Sequence, residues 1–481
     1  MEPSTAGYDC RFLSDILPGG RVDFEASRRE EFAVDASPHE PRVPDAVAWP
    51  RTTGEVSTIL EAANERGIPV TPWSGGSSLE GNAIPAAGGI VLNTFEMDDV
   101  SVSPADLQAS VGPGVVYDAL NEQLGKHGLR FPPGISSGDV ATIGGMIANN
   151  ASGFNAVKYG ETRDHVRRLE VALPDGEVIE CGSGVVKTSS GYSLKDLFVG
   201  SEGTLGVVTE ATIAVSGIPE HKRAALVTFP SRIAATSAVS EMIGFGLEPA
   251  AVEYVDELSI DMIHDYRPEV SLREEPTLIL EFHGNTAGID EDVEFARNIC
   301  EDNDATSWDE ADEEEMDRIW QARRDALPAI RAYEEDMEVA ILGDIVVPIS
   351  AYPDIVEEVT AVSEELDLLT PCVGHSGDGN LHYTPLVEAD DEDAWDRADE
   401  LNERIVEETL RLGGTATGEH GVGQGKRKFM RREHGAALDL MRTIKETIDP
   451  EGIMNPGKVF PEKGTSPPRP NPQEGTDLRE E

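Results

Sequence analysis

The chain has 481 residues, with 39 Lys and Arg against 91 Asp and Glu, which gives a formal net charge of -52. Such a charge disfavours nucleic acids and anionic lipid surfaces as direct partners, because both would be repelled. The length exceeds what one core usually organises and predicts two or three domains. The 39% hydrophobic content excludes a disordered acidic chain.

The carboxylates are spread along the whole chain rather than gathered in a tail. This distribution is typical of proteins kept soluble in concentrated salt, where self-repulsion is screened. We therefore expect the cytoplasm of a halophile, either free or held peripherally at the inner face of the membrane. An ordinary acidic surface is the alternative explanation.

The remaining global features exclude several further classes of protein. The N-terminus lacks the basic and apolar regions of a signal peptide, and no run of ~18 apolar residues predicts a membrane span. Neither GxGxxG nor GxxxxGK[ST] is present, which disfavours nicotinamide-dependent Rossmann enzymes and P-loop NTPases. The cysteines are far apart, which predicts free thiols in a reducing compartment rather than disulfides or an iron–sulfur cluster: Cys10, Cys181, Cys300 and Cys372.

Residues 1–40 are expected to form a helical lead-in, and short βαβ-like units follow. We predict a strand at 47–50, a helix at 55–66 capped by Thr53, and a strand at 69–72. The Gly- and Ser-rich stretch 73–82 comes next, and its backbone N–H groups could hold a phosphate. A plain turn is the alternative.

A second run of small residues occupies 141–153, and it is suited to a flat surface against a large planar ligand. Close helix packing is the alternative interpretation. Strands at 168–173 and 178–180 are expected to be joined by a hairpin turn at 174–177. A glycine-punctuated loop at 200–206 then enters a further strand.

From about residue 219 the pattern predicts a separate α+β domain with an antiparallel sheet. Strands are expected at 224–229, 250–254, 277–283 and 339–347, the last containing Asp344. Helices are expected at 233–245, 290–301, 310–333, 353–366, 393–412 and 428–448. The segment from 463 onward predicts a solvated, disordered tail.

Three histidines and one glutamate in two Gly-rich stretches indicate a functional site. His375 and His382 flank turn formers in 374–384, which predicts a hairpin with both imidazoles facing one pocket. Glu419 and His420 lie between glycines at 418–421. Two imidazoles and one carboxylate suit a borderline divalent cation with one position left open. Ordinary turn and core histidines are the alternative.

Taken together, these motifs resemble the FAD-linked oxidase family of the vanillyl-alcohol oxidase type. The resemblance is to its branch of cytochrome-linked D-lactate dehydrogenases and glycolate oxidase flavin subunits. It extends from about residue 44 to 460 and depends on the shared order of short motifs, at 74–82, 141–153, 159–164, 200–206, 281–284, 374–382, 418–423 and 455–458.

The resemblance implies an α+β fold with a two-part FAD-binding domain at 41–218 and an α+β cap domain with the metal site at 219–440. A C-terminal segment at 441–462 would return to the FAD domain. The residues that it places against FAD are Ser74, Gly75, Gly76, Ser77, Ser78, Gly81, Asn82, Pro133, Thr142, Gly144, Gly145, Asn149, Ser152, Gly153, Glu202, Gly203, Gly206, Val208 and Asn455.

The resemblance also implies the roles of the polar site residues. His375, His382 and Glu419 would hold a zinc or manganese-like ion, His420 would be the base, and Arg323 would bind the substrate carboxylate. Asp344 could orient a ligand histidine, or it could be a buried structural partner. A surface salt bridge is the alternative role for Arg323.

The expected activity is FAD-dependent oxidation of a D-2-hydroxy acid, foremost D-lactate, with electrons passed to an external quinone, cytochrome or iron–sulfur partner. A glycolate oxidase flavin subunit and a D-2-hydroxyglutarate dehydrogenase are alternatives. Thr384 stands where relatives acting on dicarboxylic acids carry Asn, which counts against 2-hydroxyglutarate. A metal-dependent hydrolase and a non-catalytic flavin-binding subunit are alternatives of other classes.

Two smaller points concern how the cofactor is held. The first loop has Ser77-Ser78 where the family usually has Thr-Ser, a mild departure. No histidine or cysteine lies in 72–82, so we expect FAD to be bound without a covalent link.

Overall fold

The structure is a computed structural model that describes residues 7–270, 272–311 and 313–461. The predicted tail from residue 463 lies outside the described residues. The expected helical lead-in contains two short helices, Leu13–Ile16 and Ala26–Glu30, with a strand, Val22–Asp23, between them.

A first sheet is built from the N-terminal part of the chain, in the spatial order Val22–Asp23, Ala46–Ala48, Ile90–Asn93 and Val70–Trp73. Ile90–Asn93 is parallel to both of its neighbours. The side chains of Ala46–Ala48 are fully buried, as expected for a parallel strand that is covered on both faces.

The helix between the first two predicted strands is Thr53–Asn64, and its N-cap is Thr52 rather than the predicted Thr53. Thr52 has an extended backbone, so its hydroxyl can accept a hydrogen bond from the N–H of Glu55 at 3.3 Å. The helix buries the apolar residues at the predicted spacing: Val56, Ile59, Leu60 and Ala63.

A second, antiparallel sheet follows, in the order Val100–Ser103, Gln108–Val111, Val207–Ala214, Val166–Ala172 and Val178–Gly182. The predicted hairpin turn at 174–177 is confirmed, because the N–H of Gly176 donates to the carbonyl of Leu173 at 2.9 Å. The helices of this region are Tyr117–Gly125, Ile143–Asn149, Ala156–Tyr159, Thr162–His165 and Lys195–Phe198, and a short strand pair joins Leu129–Arg130 to Ser216–Gly217.

The cap contains a larger antiparallel sheet, as predicted. Its order is Ser307–Glu310, His221–Thr228, Thr277–Gly284, Ala251–Val255, Cys372–His375, Asn380–Tyr383 and Ile345–Val346.

Helices cover both faces of the cap sheet. Val252 and Tyr254 pack into one hydrophobic cluster, while Ala251 and Val255 pack into the other. The first cluster contains side chains of Arg232–Gly244, Ile289–Asp302, Tyr352–Glu365 and Glu392–Arg411. The second contains side chains of Glu257–Tyr266, Glu313–Arg324 and Ala326–Arg331. The strand Ala251–Val255 is therefore buried along its whole length.

Two of the long elements predicted in this half are wrong. The helix expected at 310–333 starts only at Glu313 and is divided at Asp325, which pairs with Arg267 at 2.6 Å. The strand expected at 339–347 is two strands, Met337–Val339 and Ile345–Val346, which pair with different partners.

The helix expected at 428–448 is also wrong as one element. It is divided at Gly435, whose φ of +51° and ψ of -125° are not helical, into Met430–His434 and Ala437–Ile448. Among the described residues, none of the helices combines the length and apolar character needed to cross a membrane.

After these helices the chain runs back to the first sheet. The N–H of Val70 donates to the carbonyl of Ile453, and the N–H of Asn455 donates to the carbonyl of Val70, both at 2.8 Å. Lys458 is buried here, and its Nζ donates to the carbonyl of Ile84 at 2.5 Å. Burial lowers the pKa of Lys458 to about 7.

Replacing this buried lysine tests the packing of the chain end. The pKa is lower in the folded than in the unfolded chain, so wild-type stability rises from about pH 7 to about pH 10, by up to about 4 kcal/mol. Lys458→Met lacks this rise, and its stability relative to wild type is expected to be highest at pH 7. Urea unfolding across this pH range measures the difference.

The matched control is Lys428→Met, because the Lys428 side chain is 42% exposed. Its offset from wild type is expected to stay constant with pH. If the stability difference between Lys458→Met and wild type is also constant with pH, the lowered pKa of the buried Lys458 is contradicted.

Candidate active site

A cavity of about 560 Å³ lies between the two halves of the protein. Its cap side is formed by Arg324, Leu327, Pro328 and Arg331, and one end is closed by Glu419 and His420. The residues predicted to contact FAD that line it are Ser74, Gly75, Gly76, Ser77, Ser78, Asn82, Thr142, Gly144, Gly145, Asn149, Ser152, Glu202, Gly203, Gly206, Val208 and Asn455.

The three other residues predicted to contact FAD, Gly81, Pro133 and Gly153, do not line this cavity. Gly153 serves backbone packing instead, because a Cβ there would lie 2.1 Å from the carbonyl oxygen of Gly134. Gly81 has a φ of +72°, which favours glycine in a turn.

The cavity wall fits a large ligand with polar groups. Four buried polar atoms of residues that line it have no hydrogen-bond partner in the described part of the chain: Nε1 of Trp73, Oδ1 of Asn82, Nδ1 of His420 and Oδ1 of Asn455. Gly75 lets two backbone segments meet, since a Cβ there would lie 2.5 Å from the carbonyl oxygen of Val140. The residues present therefore fit FAD in size and in hydrogen-bonding capacity.

Glu202 fastens this cavity to the loop that carries Glu419 and His420. Its carboxylate accepts hydrogen bonds from the N–H of Val422 at 2.7 Å, the N–H of Gly423 at 2.8 Å and Nδ2 of Asn82 at 2.7 Å. Burial raises the pKa of Glu202, and these donors oppose that rise. Nδ2 of Asn455 donates to the Glu202 carbonyl at 2.7 Å, so the chain end joins the same cluster.

The predicted histidine hairpin is present. Cys372–His375 and Asn380–Tyr383 are antiparallel, with Val373 opposite His382. Gly379 is required in the turn, because its φ is +86° and a Cβ would lie 2.2 Å from the carbonyl oxygen of Val347. The imidazole centroids of His375 and His382 are 5.3 Å apart.

The hairpin brings both histidines to one carboxylate. Oε1 of Glu419 lies 3.2 Å from Nε2 of His375 and 3.4 Å from Nε2 of His382. One ligand atom from each of the three residues lies within 4.8 Å of the others. This nitrogen and oxygen donor set fits a divalent cation such as zinc.

The electrostatics of the three groups also favour a cation. Burial alone would lower the pKa of His375, but Glu253 and Glu419 outweigh it and raise that pKa well above its usual value. Burial would likewise raise the pKa of Glu419, but His375 and His382 hold it well below. The surrounding carboxylates therefore stabilise positive charge at this point.

Asp344 holds the loop that supplies Glu419 and His420. Its Oδ2 accepts hydrogen bonds from the N–H groups of Gly418, Glu419 and His420, at 2.8, 3.0 and 2.9 Å. Lys426 supplies the countercharge at 3.3 Å. Burial would raise the pKa of Asp344, yet Lys426 and the neighbouring imidazoles keep it well below its usual value. Asp344 is therefore an ionised anchor.

His420 lies between the two predicted sites. Its ring stacks on that of His382 with centroids 5.0 Å apart and planes 6° apart, and it lines the large cavity. Its Nδ1 is buried without a hydrogen-bond partner in the described residues. Burial lowers the pKa of His420, which keeps the imidazole neutral near pH 7.

A smaller cavity of about 200 Å³ is lined by two of the three candidate ligands, His375 and Glu419. His375 and Asp378 line it, and Ser152 and Glu419 line both cavities. Burial raises the pKa of Asp378 to about 7. Glu419 therefore separates the space that fits FAD from the space beside the histidines.

Arg323 lies in the cap, with its side chain 9% exposed and its Nε 2.8 Å from Oε2 of Glu253. Its Nη2 is buried and has no hydrogen-bond partner among the described residues. The following residue, Arg324, lines the large cavity instead. The predicted role of Arg323 in binding a carboxylate stays a prediction, and the free Nη2 is the atom suited to it.

Sequence reasoning missed Glu253, which contacts two of the predicted site residues. Its Oε1 lies 2.7 Å from Nδ1 of His375, opposite its contact with Arg323. The sequence feature that could have identified Glu253 is that it is the one charged residue in the buried strand Ala251–Val255, since unpaired buried charges are rare. Its partners could not be predicted, because they lie far away along the chain.

Comparison with known proteins places the chain among characterised folds. The family of FAD linked oxidases, C-terminal domain, matches residues 218–459, and the FAD binding domain matches residues 44–182. The chain is 38% identical over 423 residues to D-lactate dehydrogenase [cytochrome], mitochondrial, of Arabidopsis thaliana, covering 87% of this chain and 74% of that protein.

It is also 36% identical over 451 residues to glycolate oxidase subunit GlcD of Bacillus subtilis, covering 92% of this chain and 95% of that protein. Among solved structures, p-cresol methylhydroxylase with substrate bound has a TM-score of 0.75 at 16% identity, covering 93% of this chain and 95% of that chain. This structural likeness confirms the predicted fold, α+β with a two-part FAD-binding domain and a cap. The family match covers both halves, so the chain belongs to the FAD-linked oxidases.

Proposed function

We propose that this protein is an FAD-dependent D-2-hydroxyacid dehydrogenase that oxidises D-lactate to pyruvate. The observation that carries the proposal is the position of Glu419 and His420. Both line the cavity that fits FAD, and Glu419 also completes the cation site with His375 and His382. Relatives named as D-lactate dehydrogenases support the choice of substrate.

The chemistry divides between the cofactors and the protein. Acceptance of a hydride from C2 is what bound FAD would supply in the large cavity. Lowering the pKa of the substrate hydroxyl is what a divalent cation held by His375, His382 and Glu419 would supply. The remaining tasks fall to side chains of this chain.

His420 is the group that takes the hydroxyl proton. Its imidazole is neutral near pH 7 and its Nδ1 has no hydrogen-bond partner within the part of the chain that the structure describes, so it can accept a proton without breaking an existing bond. The stacked ring of His382 and the bond from the His420 N–H to Asp344 hold it in place.

Arg323 is the group that binds the substrate carboxylate. Its Nε and Nη2 are buried donors without a hydrogen-bond partner among the described residues, and Nε forms an ion pair with Oε2 of Glu253 at 2.8 Å. A carboxylate would satisfy the free donor and so fix which face of C2 is presented.

Glycolate is the second candidate substrate, because the GlcD relative matches nearly the whole chain.

The cation is proposed to be zinc or manganese, and the electron acceptor a quinone or a cytochrome. The name of the Arabidopsis relative supports a cytochrome. The excess of 91 acidic over 39 basic residues supports a cytoplasm of high salt.

The proposal is tested by mixing purified enzyme anaerobically with D-lactate, L-lactate, glycolate and D-2-hydroxyglutarate. We expect D-lactate to bleach the oxidised flavin band fastest. Removal of cations with a chelator is expected to slow the bleaching, and zinc or manganese to restore it. A flavin that stays oxidised with all four acids would reject the function, and a rate indifferent to chelation would reject the cation.

His420→Gln isolates the proton-transfer step. Glutamine keeps much of the volume but cannot act as a base near pH 7, so the rate of flavin reduction by D-lactate is expected to fall by roughly 10²–10⁴-fold. Stopped-flow absorbance measures this rate. His434→Gln is the control, since His434 lines neither cavity and its Nε2 lies 3.8 Å from Oε1 of Glu433. FAD content is expected to match wild type in both variants. An unchanged rate of flavin reduction in His420→Gln would show that His420 is not the base.

A further inference from the structure

The buried carboxylate of Glu253 has a position that the proposed reaction does not yet explain. Glu253 is fully buried in the middle of the strand Ala251–Val255, where no other side chain is charged. A charge in such a place is costly unless both oxygens are engaged. Here each oxygen faces a different basic group of the site.

One oxygen determines the state of His375. Oε1 of Glu253 lies 2.7 Å from Nδ1 of His375, while Nε2 of the same ring faces Glu419 at 3.2 Å. A carboxylate at Nδ1 favours a proton on that nitrogen, so that with a cation bound Nε2 of the neutral ring would present its lone pair to the cation. Glu253 therefore fixes both the tautomer and the orientation of this ligand.

The other oxygen determines the orientation of Arg323. Oε2 lies 2.8 Å from Nε of Arg323 in an ion pair that lacks hydrogen-bond alignment, and both Nε and Nη2 of that guanidinium are buried without a hydrogen-bond partner in the described residues. The ion pair at Nε favours one placement of the planar group, which leaves Nη2 available to a substrate anion. Because one side chain holds both groups, it also fixes their separation.

We propose that Glu253 is a positioning residue that holds the cation ligand His375 and the carboxylate-binding Arg323 in one mutual geometry. The proposal rests on the proposed function, since it deepens the roles given there to these two residues. One rigid carboxylate would thereby match the distance between cation and arginine to a 2-hydroxy acid, whose hydroxyl and carboxylate are on adjacent carbons.

Glu253→Gln tests this role, because the amide keeps the shape but can accept at only one of its two ends. We expect the cation affinity of the FAD-loaded protein to fall by about 10–100-fold. At saturating cation, we expect KM for D-lactate to rise by about tenfold, with kcat changed by less than about threefold, because substrate binding loses its fixed arginine. Chelator competition measures cation affinity without turnover.

Asp256→Asn is the matched control. Asp256 is also fully buried, lies three residues further on, and also faces an arginine, with Nη2 of Arg232 at 3.5 Å. It contacts the N–H of Cys372 and Ser259 rather than any candidate ligand. We expect this variant to keep wild-type cation affinity and KM, whatever it loses in thermal stability.

The double variant with Arg323→Met separates positioning from general stability. If Glu253 acts on the substrate through Arg323, adding Glu253→Gln to Arg323→Met is expected to raise KM no further. The cation affinity is still expected to fall, because His375 has lost its partner. This pair also removes both buried charges together, which keeps the test usable should the single variant fail to fold.

Wild-type cation affinity and wild-type KM in Glu253→Gln would overturn the proposal, as would equal losses in Asp256→Asn. The outcome is separable from the proposed function. If D-lactate fails to reduce the wild-type flavin, the function is wrong, while the cation affinities measured without turnover still decide the role of Glu253 toward His375.

Discussion

The ionised carboxylate of Asp344 is the constraint on which the site depends. It gathers three consecutive N–H groups of residues 418–420 onto one oxygen, and its other oxygen accepts from Nδ2 of Asn380 at 2.8 Å. The loop with Glu419 and His420 is thereby joined to the hairpin with His375 and His382. Lys426 balances the charge and also reaches Oε1 of Glu80 at 3.2 Å, so the anchor is an ion network across the two halves.

The same loop is held a second time, from the FAD side. Glu202 accepts two N–H groups just after His420, and its positive φ of 53° places it where a glycine would be easier. Backbone strain of this kind persists only where surrounding contacts over-determine it. With Asp344 bonded to residues 418–420 and Glu202 bonded to residues 422 and 423, His420, the proposed base, is restrained from both halves of the protein. The cavity that fits FAD and the proposed cation site therefore cannot move apart without breaking buried hydrogen bonds.

The parts of this site that could be predicted from the sequence are those that depend on residues close together in the chain. The stretches 73–82 and 141–153 predicted a phosphate-holding loop and a flat surface, the family resemblance supplied the individual FAD contacts, and two histidines around a turn indicated the hairpin. What sequence could not predict was set by distant partners. The strand expected at 339–347 is divided into two strands, and Asp344, which lies between them, faces residues 418–420 rather than a neighbouring strand. Glu253 is visible in the sequence only as a charged residue within a hydrophobic segment, and that segment does not indicate that His375 and Arg323 are its partners.

The negative net charge of the chain repels an anionic substrate, and positively charged groups close to the site offset this repulsion. A 2-hydroxy acid is an anion approaching a chain of formal charge -52, so long-range attraction does not guide it. The arginines that line the cavity from the cap are Arg324 and Arg331, while Arg323 lies buried against Glu253. Screening by salt reduces the repulsion beyond a few Å, after which these arginines and the proposed cation would dominate the field. Recognition is therefore a short-range property of a few buried charges, and their mutual placement, more than their number, decides which acid is oxidised.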